Sequence, residues 1–360
     1  MNETSEYPDI LQVLAMAKQA GASDLHLSLG QPPNIRVQGN LSPLGLPPLD
    51  AETIRELSLS MLTETQRAKF EAEMDLDFSA EIESVGRIRG NVHYSKGAIE
   101  AAYRFISPLI PSLEKLGHHP TVSRLCDHHE GLVLITGATG SGKSTTLCAM
   151  LEHINQHRSG VVVVLEDPIE FVFQHGQSVI RQRQVGADTH TFASAIKSAL
   201  RQDADVIVVS ELRDLETMRT ALTAAETGHL VISTLHTHDA PSTILRILDA
   251  FPEEQQDFVA SQLASSLRGV ICQSLIVRRD QPGRVMASEV MVGNSAIAAC
   301  IRSKRLTQLP NLIQIGGIDG MHTIDDSLIH LAKHGFITVE DALIRARDAK
   351  FVEMNCANYR

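Results

Sequence analysis

Four short runs in the middle of the chain, residues 132–136, 161–165, 206–209 and 230–234, are apolar and rich in β-branched residues. Runs of this length without polar interruption are the pattern of strands buried on both faces. Between them lie segments of helical period, such as 192–200, which puts Phe192, Ile196, Ala199 and Leu200 on one face. Alternating strand and helix predicts a mainly parallel sheet with helices on both sides. After Pro252 the pattern becomes mostly helical, interrupted by strand-like 270–277 and 285–291, and residues 351–360 read as a frayed end.

The first hundred residues follow a different rhythm. A helix is expected over 9–20, with Gly21 at its C-terminal end. Leu25, Leu27 and Leu29 then alternate with Asp24, His26 and Ser28, the period of a half-buried strand. Ile35-Arg36-Val37 before Gly39-Asn40 predicts a hairpin, 51–59 and 63–73 predict short helices, and Thr63 and Gln66 have capping-box spacing. Strands follow at 87–94 and 98–106. The expected division is an α+β domain at 1–106, a linker at 107–118 opened by Ser107-Pro108, an α/β domain at 119–349 with a helical C-terminal part, and a tail at 350–360.

Gly137-Ala138-Thr139-Gly140-Ser141-Gly142-Lys143-Ser144 follows the first apolar run directly and opens a helical segment. It matches the phosphate-binding loop G-x-x-x-x-G-K-[ST] in its required strand–loop–helix setting. Backbone N–H groups of Gly137, Thr139, Gly140, Ser141 and Gly142, together with Thr145 at the helix start, are placed to surround phosphates. Lys143 can reach the β- and γ-phosphates, and the Ser144 hydroxyl can ligate Mg²⁺. ATP and Mg²⁺ are therefore the expected ligands.

Composition narrows the class. A net charge of −11 over 360 residues, no Trp and 4% aromatics leave little for a nucleic-acid groove or base-stacking platform. Five widely spaced cysteines without a C-x-x-C pair predict reduced thiols. The N-terminus is acidic and polar, unlike a signal peptide, and no apolar stretch approaches a membrane span. The expectation is a soluble, cytoplasmic protein whose link to any membrane comes through a partner. His118-His119 and His128-His129 flank Cys126 without zinc-finger spacing, so a hydrated segment near the linker is the preferred reading over a metal site.

In parallel sheets, ligands collect at the carboxyl ends of strands. Those ends carry Glu166-Asp167-Pro168-Ile169-Glu170, Ser210-Glu211 and His236-Thr237, all polar. Carboxylates there suit Mg²⁺ through its waters and the orientation of an attacking water.

Glu166-Asp167-Pro168-Ile169-Glu170-Phe171, Glu211-Leu212-Arg213-Asp214 and Thr227-Gly228-His229-Leu230-Val231 through Thr234-Leu235-His236-Thr237 resemble the acidic box, Walker B region and histidine box of secretion ATPases. Ala22-Ser23-Asp24-Leu25-His26-Leu27-Ser28 and the run from Ala221 to Leu230 are similar, more narrowly, to type IV pilus retraction ATPases of the PilT type. The resemblance covers roughly residues 11–349. It implies a PAS-like N-terminal domain, a RecA-like motor domain and a homohexamer that hydrolyses ATP beneath an inner-membrane pilus platform to drive filament disassembly and twitching motility. It also implies that Glu211 is the catalytic carboxylate, that Glu166 lies near metal and water, and that His229 and His236 sense or relay the γ-phosphate. Arg89 and Arg104 would complete the site.

Three positions depart from the family pattern. Ala138 replaces a frequent Pro, Ser210 stands where Gly usually precedes the catalytic Glu, and Ala296 to Ser303 (AIAACIRS) lacks the first Arg, the Asn, the Leu and the final Glu of the retraction motif AIRNLIRE. Ser210 and the altered 296–303 segment leave open an alternative: a nucleotide-binding accessory subunit that modulates a paralogous retraction ATPase and hydrolyses little ATP alone.

Overall fold

The computed structural model describes residues 7–106 and 109–357. Ser107 and Pro108, the opening of the expected linker, and the last three residues of the expected tail lie outside the described residues. Two compact units form, one from Met1–Leu109 with Pro168–Val172, the other from Ile110–Asp167 with Phe173–Arg360.

The N-terminal unit is built from α1 (Ile10–Gln19), β1 (Asp24–Leu27), β2 (Asn34–Val37), β3 (Asn40–Pro43), α2 (Ala51–Ser60), α3 (Glu64–Glu73), β4 (Asp75–Ile82), β5 (Gly86–Ser95) and β6 (Ala98–Phe105). Its six strands form an antiparallel sheet in the order β3-β2-β1-β6-β5-β4. Alternate residues, among them Leu25, Leu27, Phe78, Ile88, Val92 and Tyr103, join Val13, Leu14, Ile54 and Phe70 in one core. Capping decides where the helices begin: Asp9 with Gln12 and Thr63 with Gln66 each close a capping box. Gly90 faces Phe78 across the β5–β4 ladder, where a Cβ would come within 2.5 Å of the ring. The opposite sheet face is polar. Along it Arg36, Asp24, Arg104 and Arg89 are successive cross-strand neighbours.

The second unit comprises α4 (Thr121–Cys126), β7 (Gly131–Thr136), α5 (Lys143–His157), β8 (Gly160–Glu166), β9 (Ser178–Gln184), α6 (Phe192–Ala199), β10 (Val206–Val209), α7 (Leu215–Glu226), β11 (Leu230–Leu235), α8 (Ala240–Asp249), α9 (Glu253–Ser266), β12 (Leu267–Val277) and β13 (Arg284–Val292). It ends in α10 (Ser295–Arg302), α11 (Leu309–Ile315), α12 (Ile324–Lys333), α13 (Val339–Arg345) and α14 (Ala349–Cys356). Its sheet runs β13-β12-β7-β11-β10-β8-β9, parallel except for β13. The four apolar runs are the central strands β7, β8, β10 and β11. Every residue of β7, β10 and β11 is buried, as their unbroken apolar pattern requires. Ile297 and Ile301 of α10 are core residues, so the altered 296–303 segment packs one face inward and leaves Arg302 exposed.

Four expectations are corrected. Residues 110–118 group with the second unit, where Leu113 and His118 are buried, so this stretch is not a free linker. His118 is accordingly not a hydrated surface residue: its Nε2 lies 2.9 Å from Thr146 Oγ1. Pro168–Val172 groups with the N-terminal unit, held by Arg87, whose guanidinium donates to the Ile169 carbonyl at 2.8 and 3.1 Å. Residues 349–356 form α14, anchored by buried Val352 and Cys356, where a frayed end was expected. All five cysteines are buried, and none forms a disulfide. Among the described residues no helix is long and apolar enough to cross a membrane, and no group of three His, Cys, Asp or Glu is arranged to hold a metal ion.

Candidate active site

The loop 137–142 leaves β7 at its carboxyl end and turns directly into α5, with Gly142 as N-cap in the left-handed region (φ 92°). Only glycine fits at 137. Its φ is 144°, and a Cβ there would sit 2.3 Å from the Gln273 carbonyl oxygen and 2.6 Å from Ser141 Oγ. Gln273, on neighbouring β12, also donates its side-chain amide to the Ser141 carbonyl at 2.8 Å, fixing the loop from behind. Its Oε1 is buried without a partner. The aligned peptides of the 15-residue helix α5 direct positive potential at the loop. Ser144 is exposed at the first turn, and Thr145 beside it is half-buried.

Lys143 folds back over the loop. Its Nζ donates to the carbonyls of Gly137 at 2.9 Å and Ala138 at 3.0 Å and reaches His236 Nδ1 at 3.4 Å. An ammonium can only donate, so His236 Nδ1 accepts and the ring proton lies on Nε2, which donates to Glu211 Oε1 at 3.1 Å. Glu211 Oε2 accepts from Arg213 Nε at 2.9 Å. Three strand ends (β7, β10 and β11) thus bring Lys143, Glu211 and His236 into one polar chain. Burial pushes the Lys143 ammonium below the ordinary lysine range, and the Glu211 carboxylate pulls part of that back. A cleft of about 210 Å³ lies beside them, lined by Glu211, Leu212, Arg213, Leu235, His236, Thr237 and Arg246.

Glu166 ends β8 with its side chain almost fully buried and accepts from Gln182 Nε2 at 2.9 Å. One carboxyl group from the same stretch separates from it. Glu170, on the far side of Pro168, pairs with Arg89 at 3.1 Å within the N-terminal unit. Arg89 also meets Asp77 at 3.4 Å, and Arg104 holds Asp24 at 2.8 Å while remaining largely exposed. Burial alone would raise the Asp24 carboxyl; bonds from Ser23 and Arg104 outweigh it and hold the group below the usual range. Arg89 and Arg104 are direct register partners, so their side chains share the polar sheet face.

His229 does not join the phosphate end of its own chain. It precedes β11, whereas His236 follows it, and a six-residue strand separates the two by roughly 20 Å. Its ring lies 3.3 Å from the Ala224 carbonyl. Strand direction puts the two histidines of the box at opposite edges of the sheet. Sequence reasoning assigned no role to Arg213, Gln182 or Gln273. Arg213 stood in plain view two residues after Glu211. Gln182 and Gln273 become visible only once β9 and β12 are paired with their neighbours.

A buried parallel sheet carrying a phosphate-binding loop, with a lysine, a carboxylate and a histidine converging on it, defines an NTPase of the P-loop class. The family model for the "Type II/IV secretion system protein" matches residues 109–308. The chain is 45% identical to the type IV pilus retraction ATPase PilT of Pseudomonas aeruginosa, over 94% of this chain and 98% of that protein. It is 36% identical to the pilus ATPase PilU of the same organism, over 94% and 88%. A crystal structure of the pilus retraction motor PilT with bound ADP superposes with TM-score 0.89 at 44% identity, covering 96% of this chain and 99% of that one. The chain belongs to the type II/IV secretion ATPase family and is an ATPase of the PilT type.

Proposed function

We propose that this chain is the subunit of a homohexameric motor that hydrolyses ATP to retract type IV pili, acting in the cytoplasm against an inner-membrane platform protein. The observation that carries the enzymatic part is the chain of contacts Lys143–His236–Glu211 at the phosphate-binding loop. The pilus part is supported by the near full-length likeness to PilT, named as a retraction ATPase.

ATP would bind with its phosphates against the backbone N–H groups of residues 137–142 and the N-terminus of α5. Lys143, whose only present acceptors at full hydrogen-bond strength are loop carbonyls, would swing its ammonium onto the β- and γ-phosphate oxygens. The Ser144 hydroxyl and the Glu166 carboxylate are the oxygens that would hold Mg²⁺, which neutralises phosphate charge when bound. Ser144 is exposed at the start of α5, and Glu166 ends β8 on the same edge of the parallel sheet, so both present oxygens of the kind Mg²⁺ takes. Glu211, freed from Lys143's field by the nucleotide, would orient the attacking water and accept its proton. His236, between the two, registers whether a γ-phosphate occupies the lysine. Half-buried Arg89 and exposed Arg104, on one polar sheet face, would supply positive charge to a neighbouring subunit's nucleotide, an effect worth about 10³–10⁵ in rate where arginines do this elsewhere.

The alternative accessory role rests on Ser210. Its carbonyl is held by Thr234 Oγ1 at 2.6 Å and its N–H by Leu165, and Glu211 still reaches His236 beyond it. This geometry favours the enzyme. Two measurements decide the matter: steady-state ATPase of the purified chain, and twitching in a strain whose own copy is replaced by Lys143→Ala. Measurable turnover with loss of twitching is expected. Turnover indistinguishable from the Lys143→Ala background would favour the accessory role, and normal twitching in that strain would refute retraction.

A further inference from the structure

The loop that carries His236 is gripped from the far C-terminal part of the same unit. Between His236 and α8 lie only Thr237, His238 and Asp239, and Asp239 caps α8 by accepting from the Ser242 N–H at 2.7 Å. Arg347, in the turn before α14, places one guanidinium nitrogen 3.4 Å from Asp239 Oδ2 and another 3.0 Å from Glu289 Oε2. Glu289 lies on β13, 1% exposed, and its other oxygen accepts from the Ala240 N–H at 2.9 Å. The contact to Oε2 is an ion pair, not a well-aligned hydrogen bond. Arg347 is itself set by its backbone: the buried carboxylate of Asp325, on α12, accepts from the N–H groups of Arg347 at 2.8 Å and Asp348 at 2.9 Å.

A buried carboxylate is costly unless its charge is answered. Glu289 is raised above the ordinary carboxylate range by burial, and Arg347 offsets it most among its neighbours. An apolar core position on β13 would serve packing alone, so the placement of a carboxylate there, spent on the first N–H of α8 and on Arg347, fixes the start of that helix. Thr237 Oγ1 extends the grip one step nearer His236, lying 2.6 Å from Thr243 Oγ1 on the first turn of α8.

We propose that Arg347, acting with Glu289 on Asp239, is a positioning residue for His236 and thereby couples the C-terminal helices α12–α14 to the ATP site. This rests on the reading that His236 and Glu211 act together on the γ-phosphate end. Movement of α14 would shift Arg347, release or tighten residues 237–239, and change the contact of His236 with Glu211. Conversely, a nucleotide that displaces His236 from Lys143 would be felt at Arg347.

The test is a double-mutant cycle in the full-length protein, with turnover, KM for ATP and ADP affinity measured for each variant. Arg347→Met with Glu289→Gln removes both charges of the buried pair; the Asp239 carboxylate loses its cation but is partly solvated and still caps α8. It should lower kcat about tenfold or more while KM and ADP affinity stay within about twofold, because Lys143 and the loop are untouched. Arg347→Lys, which keeps the charge, should recover most of the loss. In a His236→Ala background the Arg347→Met, Glu289→Gln pair should cost nothing further. Should the double variant unfold, Asp239→Asn takes its place with the same expectations, since Asn still caps α8. Equal losses with and without His236 would overturn the proposal, as would wild-type kcat in the double variant alongside a slow His236→Ala. Wild-type turnover in His236→Ala itself would overturn the reading of the site, and this inference with it.

Discussion

Gln273→Leu isolates the support behind the phosphate-binding loop. The side-chain amide makes one contact to that loop, 2.8 Å to the Ser141 carbonyl, in a buried setting. Leucine has similar volume and keeps the strand, but leaves that carbonyl without its donor, a loss of about 1–3 kcal/mol for a buried group. Part of this is returned, because Gln273 Oε1 is already buried and unpaired, and leucine removes it. A net cost near 1 kcal/mol remains. Since a loop preformed around phosphate binds it better than one that must reorder, that cost should appear as about fivefold weaker ADP binding, with little change in kcat at saturating ATP. Titration calorimetry with ADP, alongside thermal unfolding, reads both. A lowered melting temperature with unchanged ADP affinity would refute the reasoning, since Gln273 would then serve only the core.

Arg302→Ala should leave ATPase rate and oligomer formation near wild type while twitching falls, because Ile297 and Ile301 hold α10 in the core and Arg302 points away; loss of ATPase and oligomer together would assign the segment to folding. Mixing Lys143→Ala with Arg104→Ala subunits should restore turnover to two inactive proteins if the arginine acts across an interface, and no restoration at any ratio would count against sharing. Burial, together with neighbouring histidine rings, lowers both His118 and His322 to about 4, from 6.5 unfolded. Both stay neutral in the fold while the unfolded chain takes up protons, so their stabilisation is complete above pH 6.5 and is lost as pH falls from there toward 4. At pH 5.5 the loss should be roughly 1–1.5 kcal/mol each, and urea unfolding at pH 7.5 and 5.5 should show His118→Gln with the flatter dependence; equal slopes would contradict it.

The parallel strands and the phosphate-binding loop were legible because strands covered on both faces must be apolar throughout, and because the loop's chemistry tolerates few residues. β4 and β9 escaped for the opposite reason. Each sits at a sheet edge and carries charges on alternate positions, Asp75-Leu76-Asp77-Phe78 and Arg181-Gln182-Arg183, so neither reads as an apolar run. Short α14 buries only Val352 and Cys356, too few for a helical stripe to stand out from a polar end. Strand ends pointed to Glu211 and His236 as candidates, but not to their contacts with each other and with Lys143. Strand direction sets His229 at the opposite edge of the sheet from His236. Pro168 turning Glu170 toward Arg89 is a tertiary event with no local signal beyond the proline.

The most direct measurement of the central claim is single-turnover and steady-state hydrolysis by Glu211→Gln, with ATP binding measured on the same preparation. Glutamine keeps the shape, and its single amide oxygen can still accept from one of His236 and Arg213, but it cannot take a proton from water. ATP should bind as tightly as to wild type, or more tightly, with turnover lowered about 100-fold or more. Wild-type turnover by Glu211→Gln, or loss of ATP binding equal to that of Lys143→Ala, would contradict the assignment of Glu211 as the group that works on water at this site.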